Sequence, residues 1–312
     1  LLLVVGKQYD HMVNDHPGYN PENLAYVYIG AVDSTGRAKL IEETQRLPEV
    51  DAITTCYNLP FWGASGNNVY LPGDDRELFN IADLYDVGND YLNVLEIPIV
   101  EGQYFTENTT SSQEILVSRN FIEYMKPFAD WKDGAVGKTV QITGHDTKSE
   151  SMPLFTIRGV FEDFRLGSIA GEDPRAKIMF YTKGAAQHMV IRYHSLSSEA
   201  LRKTQDLMGQ LIPDKELNVI SFKSEMLEGY TSSRKFCDSV MIGGIVTLLI
   251  VFIGLIGYTN DEVNRRRKEM AIRKINGATV KDILHIFLKD IITMALPAIL
   301  PVSYTHLRAH ET

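Results

Sequence analysis

Cysteine is nearly absent: the 312 residues hold only Cys56 and Cys237. No CxxC pair or Cys/His cluster accompanies them, so a structural zinc site is excluded. They sit in segments of different character, one in a polar region and one beside an apolar run, which argues against a disulfide between them. Positive charge is also short. Against 40 Asp and Glu stand 31 Lys and Arg, giving a net charge of −9. Nucleic acid is therefore not expected as a partner. Catalytic constellations are missing too. Gly137-Lys138-Thr139 has the end of a phosphate-binding loop, but Lys132 stands where the first Gly belongs, and the residues that follow alternate like a strand rather than opening a helix. Gly63-Ala64-Ser65-Gly66-Asn67 ends on Asn67 where a nucleophile elbow needs Gly. His188 and His194 lie at an even spacing on or beside one strand, but no carboxylate is placed with them, and a solvated face explains them better than a metal. Tyr57, Phe61, Trp62 and Tyr70 read as core rather than as a ligand patch. No enzyme and no cofactor are expected.

What the sequence does have is a run without charge. From Val240 to Thr259 no Asp, Glu, Lys or Arg occurs. As a helix the run is about 30 Å long, the thickness of a bilayer's hydrocarbon core. The alternative is a buried central helix of a soluble protein. Such helices usually carry some polar residues, and Gly243, Gly244, Gly254 and Gly257 suit lipid better. Arg265, Arg266, Arg267 and Lys268 follow the run. Basic residues collect on the cytoplasmic side, so residues 1–238 are expected outside and the residues after the span inside.

The length allows one large or two ordinary domains. Two stretches of the outer region look alike. Ala25–Val32 reads as a strand, Thr35–Leu47 as a helix stopped by Pro48, and Val50–Tyr57 as a strand. His188–Tyr193 then reads as a strand, a helix capped by Ser197 or Ser198 runs to Leu211 before Pro213, and Leu217–Phe222 reads as a strand. These are two βαβ units, a weak internal repeat forming two halves of one subdomain. Between them Pro60–Tyr181 alternates strand-like segments with turns, an inserted, mostly-β subdomain. The expected fold class is thus an α+β extracytoplasmic domain, two βαβ units with an inserted mostly-β subdomain, joined to transmembrane α-helices. Ser224–Ser239 reads as a helical stalk that runs on into the span.

After the span, Asn276-Gly277 suits a helix C-cap with a positive φ at Gly277. Thr279 can cap the next helix with Asp282 as capping-box partner. The short helix before the turn carries Met270, Ile272 and Ile275 among charges of both signs and is expected at the membrane surface. Anionic lipid explains its bases but not Glu269, the sharp turn, or the return to an apolar stretch at Ile291–Leu300.

Lys268-Glu269-Met270-Ala271-Ile272-Arg273-Lys274-Ile275-Asn276-Gly277-Ala278 resembles the signature of FtsX-like permease domains. The outer region is similar to the periplasmic core domain of MacB-type ABC transporter permeases. That similarity is carried in order by Tyr91–Gly102 with Phe105, Glu114–Ser118, Val136-Gly137-Lys138, and Ile157-Arg158-Gly159-Val160 with Asp163-Phe164. The resemblance implies a multi-pass protein of the bacterial cytoplasmic (inner) membrane. It implies residues 1–17 as the end of a preceding span and stalk, and a core domain over 18–223. That domain divides into a porter-like part, 18–58 and 182–223, and a sabre-like insert, 59–181. Within 224–301 come a stalk, a span at 240–259, a coupling segment at 260–282 and the start of another span at 283–301. Implied partners are a separate cytoplasmic ABC ATPase, a second permease copy or half, and membrane lipid. The residues expected to meet the ATPase are Arg266, Glu269, Ile272, Arg273, Lys274, Asn276 and Gly277. A membrane-anchored extracytoplasmic sensor is the other reading, although a helix-ending Asn-Gly opposes a coiled coil running on into a signalling module. Leu1-Leu2-Leu3-Val4-Val5 is too short to span and is read as the outer end of an earlier span rather than a signal-peptide remnant. Residues 302–312 resemble a sequencing-library adapter read in one frame and are set aside from the fold.

Overall fold

The computed structural model describes residues 4–7, 10, 16–62, 66–74, 76–105, 113–143, 153–165, 175–183, 187–285 and 288–289. Residues 1–238 form one compact unit and residues 239–312 another. The apolar stretch Ile291–Leu300 and the tail 302–312 lie outside the described residues, as do Leu1–Leu3.

The two βαβ units of the sequence are present and interlocked. The first is β1 (Leu24–Tyr28), α1 (Ser34–Gln45) and β2 (Val50–Cys56). The second is β10 (His188–Tyr193), α4 (Ser198–Leu211) and β11 (Ile220–Ser221). Their strands alternate in the order β11-β1-β10-β2, antiparallel at every step. Each unit therefore encloses a strand of the other. The helix starts follow from short polar side chains. Asp33 accepts from the Gly36 amide at 2.7 Å, and Ser197 accepts from the Ala200 amide at 3.1 Å, satisfying N–H groups that have no partner within the helix. Both helices cover one sheet face, over a core that includes Val27, Ile29, Leu40, Met189, Ile191 and Met208.

Two expected elements differ. The strand over Leu217–Phe222 is reduced to the Ile220–Ser221 ladder. Upstream of it the Gln205 amide replaces a neighbouring strand: its Nε2 donates to the Leu217 carbonyl and its Oε1 accepts from the Val219 amide at 2.8 Å. The stalk is also not one helix. α5 (Phe222–Gly229) ends at Tyr230, and α6 runs from Thr231 to Arg265. Tyr230 is buried and stands outside both helices, and its carbonyl accepts the Arg234 amide at 2.9 Å as α6 begins.

The segment between the units closes on itself. β4 (Phe79–Val87), β3 (Gly66–Tyr70), β7 (Thr139–Ile142), β8 (Leu154–Phe161), β6 (Glu114–Ser118) and β9 (Ala176–Tyr181) pair in that order, and β4 pairs back onto β9. The result is a six-stranded barrel, which leaves no open edge along its circuit. β5 (Ile99–Gly102) pairs with the far half of β8. Val69, Ile115, Val117, Val140, Phe155, Ile157, Ile178 and Phe180 fill the core with Phe121 and Met125 from α3 (Arg119–Met125). Within this unit a third core is shared by both parts. Tyr26, Cys56, Val190 and Phe222 from the interlocked sheet and α5 meet Tyr85, Leu116, Phe161 and Met179 from the barrel strands.

Arg192 fastens this assembly. It is 7% exposed on β10. Its Nε donates to the Val94 carbonyl at 2.5 Å, near the C-terminus of α2 (Tyr91–Leu95), and its Nη atoms reach the Glu22 and Asn20 carbonyls at 3.3 and 3.2 Å. Glu96 pairs with it at 2.9 Å. A cation at a helix C-terminus meets the negative end of the helix dipole. Removing it leaves three carbonyls to find other partners.

The segment 16–230, expressed without the span, is expected to unfold in one cooperative transition. It includes α5 because Phe222 and Tyr230 are both buried. Arg192→Met should lower its stability by about 3 kcal/mol, through the backbone carbonyl acceptors it leaves without their partner. A broad, probe-dependent melt of the unsubstituted segment would contradict an independent fold.

Candidate coupling segment

α6 carries the uncharged run and is long and apolar enough to cross a membrane over Arg234–Arg265. None of its most apolar stretch is buried within the protein. Ile242, Ile250, Val251, Ile253 and Ile256 are each more than 60% exposed. A core helix of a soluble protein would be covered, so the soluble alternative does not describe this helix. The two threonine hydroxyls of the run bond within the helix: that of Thr247 donates to the Gly243 carbonyl at 2.8 Å, and that of Thr259 to the Leu255 carbonyl at 2.7 Å. Such back-bonding lets Thr sit in hydrocarbon without an unmet donor.

Beyond Arg265 the helix kinks rather than stops. Arg266 leaves helical geometry at φ −96°, ψ 11°. The i→i−4 ladder nevertheless carries through it, with Arg266 N–H to the Glu262 carbonyl at 3.0 Å and Met270 N–H to the Arg266 carbonyl at 2.9 Å. α7 (Arg267–Ile275) follows. Arg266 Nε pairs with Glu262 at 2.5 Å. Arg273 pairs with Glu269 one turn earlier at 2.5 Å. Glu269 lies in the first turn of α7, and Arg273 and Lys274 lie in its last, so each charge also suits the helix dipole.

The closure of α7 is the expected one. Gly277 has φ +92°. Its N–H donates to Lys274 O at 3.2 Å, and the Ala278 N–H donates to Arg273 O at 3.0 Å. These are the two bonds of a Schellman cap with Asn276 at the C-cap. Two residues later Asp282 Oδ2 accepts from the Thr279 amide at 2.8 Å and from its hydroxyl at 2.7 Å. Those bonds hold the Asp282 carboxyl below the usual carboxylate range. Helix resumes over 280–285.

The seven expected residues thus fall on one kink, one helix and one cap, but not on one face. At 100° per residue, Arg266, Glu269 and Arg273 cluster on one side of α7, while Ile272 and Ile275 share another. Ile272 is 60% exposed and Ile275 is 84% exposed. Sequence reasoning placed Ile272 in the set and Ile275 outside it. Their spacing of three residues is the signal that joins them. Lys268 and Lys274 have no acidic partner among the described residues.

The other candidates resolve as follows. His188 is buried, with Nδ1 at 2.8 Å from the Tyr57 carbonyl, and its burial lowers its pKa. His194 is exposed and lies 3.5 Å from Asp51. The described residues hold no group of three metal-ligating side chains. Gly137 turns at φ +83° into β7, not into a helix. Gly63, Ala64 and Ser65 lie outside the described residues. Tyr57 and Trp62 are about half exposed, at 48% and 54%, contrary to a wholly core reading, while Phe61 packs on the shared core.

The MacB-like periplasmic core domain family matches residues 1–212, and the FtsX-like permease C-terminal family matches residues 241–303. The uncharacterized ABC transporter permease YvrN of Bacillus subtilis (strain 168) is 22% identical over 299 residues, covering 89% of this chain and 70% of that protein. The pyoverdine export ATP-binding/permease protein PvdT of Pseudomonas syringae pv. syringae (strain B728a) is 24% identical over 228 residues, covering 68% of this chain and 33% of that protein. The crystal structure of the periplasmic region of MacB from Actinobacillus actinomycetemcomitans matches with a TM-score of 0.46 at 15% identity, over 70% of this chain and 98% of that one.

The topology is open to direct measurement. With Cys56 and Cys237 replaced, a single cysteine at Asp214 should react with a membrane-impermeant thiol reagent in intact spheroplasts, and one at Lys281 should not. The opposite pattern would reverse the orientation.

Proposed function

The chain belongs to the family of MacB-like periplasmic core domains and is an ABC transporter permease of the MacB/FtsX type, and on that premise we propose that its segment 260–282 couples the protein to a separate cytoplasmic ATPase. In this reading residues 1–238 stand outside the inner membrane in a multi-pass protein that works with a second permease copy or half. Nucleotide hydrolysis moves the extracytoplasmic domain, whose porter-like part is 18–58 with 182–223 and whose sabre-like insert is 59–181. The chain contributes the moving part and not the ATPase chemistry. Efflux or extraction of a substrate is the outcome of that movement.

The observation that carries the reading is the exposed, tightly closed helix α7 directly after the span. A Schellman cap and a reciprocal Thr279–Asp282 turn fix where the helix ends and how the chain re-enters the next one. A short helix with a specified C-terminal end is a fixed surface that a partner can push. Its outward offer is Ile272 and Ile275 with Lys268 between them on the same face. Exposed aliphatics ringed by charge are the composition of an interface centre with a polar rim. The Glu269–Arg273 pair weakens the inference from mixed charge alone, because those charges already serve each other. No observation favours the sensor reading, which needs α7 to continue as a coiled coil where Gly277 ends it.

In the full-length protein, Glu269→Lys and Gly277→Val should reduce stimulation of the partner ATPase and its co-purification from membranes, while insertion stays unchanged. Gly277→Val strains a positive φ by about 1 kcal/mol or more, and Glu269→Lys sets two like charges one turn apart, at about 0.5 kcal/mol. The exchange E269R/R273E separates the two roles of Glu269. It restores an intrahelical pair in the order the helix dipole disfavours and inverts the surface, so a loss of coupling that persists in the exchange with helicity unchanged marks a partner contact. Wild-type stimulation in all three variants would leave the segment a lipid-facing flank.

A further inference from the structure

A cavity of about 270 Å³ opens on the extracytoplasmic unit between the residues after β2 and helix α5. Phe61 and Trp62 form one wall, and Glu225, Met226, Glu228 and Tyr230 form the other. Trp62 keeps 54% of its surface exposed, although the shared core lies close by. It is not loose. Tyr26, Phe61 and His188 hold the indole edge-to-face at 5.6, 5.5 and 5.2 Å between ring centroids. Phe61 is in turn fixed on Phe222 at 5.0 Å. A large ring held from several sides and left partly in water is a preformed apolar surface awaiting cover.

The opposite wall is acidic. Glu225 and Glu228 lie three residues apart on α5, on neighbouring positions of one face, where like charges destabilise each other. Glu225 Oε2 accepts from the Tyr26 hydroxyl at 3.0 Å, which orients its carboxylate beside the aromatic cluster. Neither carboxylate has a cationic partner among the described residues, and no Lys or Arg lines the cavity. The nearest lysine in sequence, Lys223, is engaged with Glu22.

Three classes of occupant are poorly served by these walls. An anion meets two carboxylates. A neutral apolar group would strip water from those carboxylates without replacing it. A small inorganic cation would keep its water and leave the aromatic wall unused. An ammonium with an apolar flank uses everything present: charge against Glu225 and Glu228, and its methyl or methylene groups against Trp62, Phe61 and Met226, with cation–π attraction added. We propose that this cavity is a binding site for an organic ammonium cation carrying an apolar flank. A free amphipathic amine and the ammonium headgroup of a phospholipid share this chemistry. The site stands on the geometry of the extracytoplasmic unit and does not rest on the coupling reading.

Trp62 and Trp131 are the two tryptophans of these 312 residues, so in a full-length background with Trp131 and every other tryptophan except Trp62 replaced by Phe, in detergent micelles, Trp62 is the indole reporter. Titration with hexyltrimethylammonium, below its own micellisation, should give a saturable change in Trp62 fluorescence. Affinity should fall at least tenfold in Glu225→Gln/Glu228→Gln, with the thermal melt unchanged. Glu225→Gln keeps an acceptor for Tyr26, and the single Glu228→Gln, at an exposed position, serves if the double variant is unstable. Hexanol and hexyl sulfate should not saturate. Equal affinity for hexanol and the ammonium, or an undiminished affinity in the Gln variants, would overturn the proposal. In nanodiscs the source is separated. Titration lost in phosphatidylcholine but kept in phosphatidylglycerol supports a lipid headgroup as occupant, and equal titration in both supports a free amine.

Discussion

Everything in this molecule depends on the apolar surface that α6 leaves uncovered. Twenty residues without a charge form a helix whose side chains point away from the protein, with Ile253 at 71% and Ile256 at 68% exposure. At about 25 cal/mol per Å² such a surface cannot stay in water, and a bilayer core is the solvent that accepts it. That requirement divides the chain by chemistry. Before the run, polar backbone is satisfied by a sheet and its helices. Within it, satisfaction is intrahelical down to the two threonine hydroxyls. After it, basic residues and caps take over. The change comes at Asp261, still within α6 and five residues before the break in helical geometry at Arg266.

The extracytoplasmic unit meets a different requirement, that of acting as one body. Two βαβ units that interleave strand by strand cannot separate without breaking a pairing at every step. The barrel closes through β4–β9, and β4 also touches β2 at Val87–Cys56. The core shared by Tyr26, Cys56, Tyr85 and Phe161 then removes the seam between them. Arg192 adds a polar fastening from β10 to α2 and to the chain leading into β1. An interior this continuous resists internal deformation, because packed cores are nearly incompressible.

Local features of this fold could be read from the sequence, and non-local ones could not. Gly277, Thr279 with Asp282, Ser197 and the uncharged run each act within a few residues, so spacing alone reports them. The barrel was legible only as an alternating segment. Its closure depends on the pairing of Ala82–Val87 with Ala176–Tyr181, nearly a hundred residues on, and no short pattern encodes that. The loss of the expected strand at Leu217 has a similar cause. A single amide, Gln205 on α4, supplies the hydrogen bonds a strand neighbour would have given. The stalk was read as one helix because its residues are individually helix-tolerant, and the break at Tyr230 comes from tertiary burial of a ring. Trp62 was read as core because an indole usually is, yet its exposure is set by neighbours from β1, β10 and its own loop.

The charges of α7 illustrate how a structure redistributes a functional inference. In the sequence, Glu269 among bases looks like a signal to a partner. In the structure it is held by Arg273 and favoured by the helix N-terminus, so its presence has a sufficient local cause. Local stability, however, gives no reason for Ile272 and Ile275 to face outward. Both are β-branched, which slightly disfavours a short helix, and both are left uncovered by the protein. Lys268 falls between them on the same face, without an acidic partner among the described residues. On the coupling proposal, a helix stabilised by its own ion pair and closed at a fixed point by Gly277 would present these aliphatics to the partner, and the intrahelical pair would keep the helix formed beforehand, so that little ordering entropy would be lost on docking.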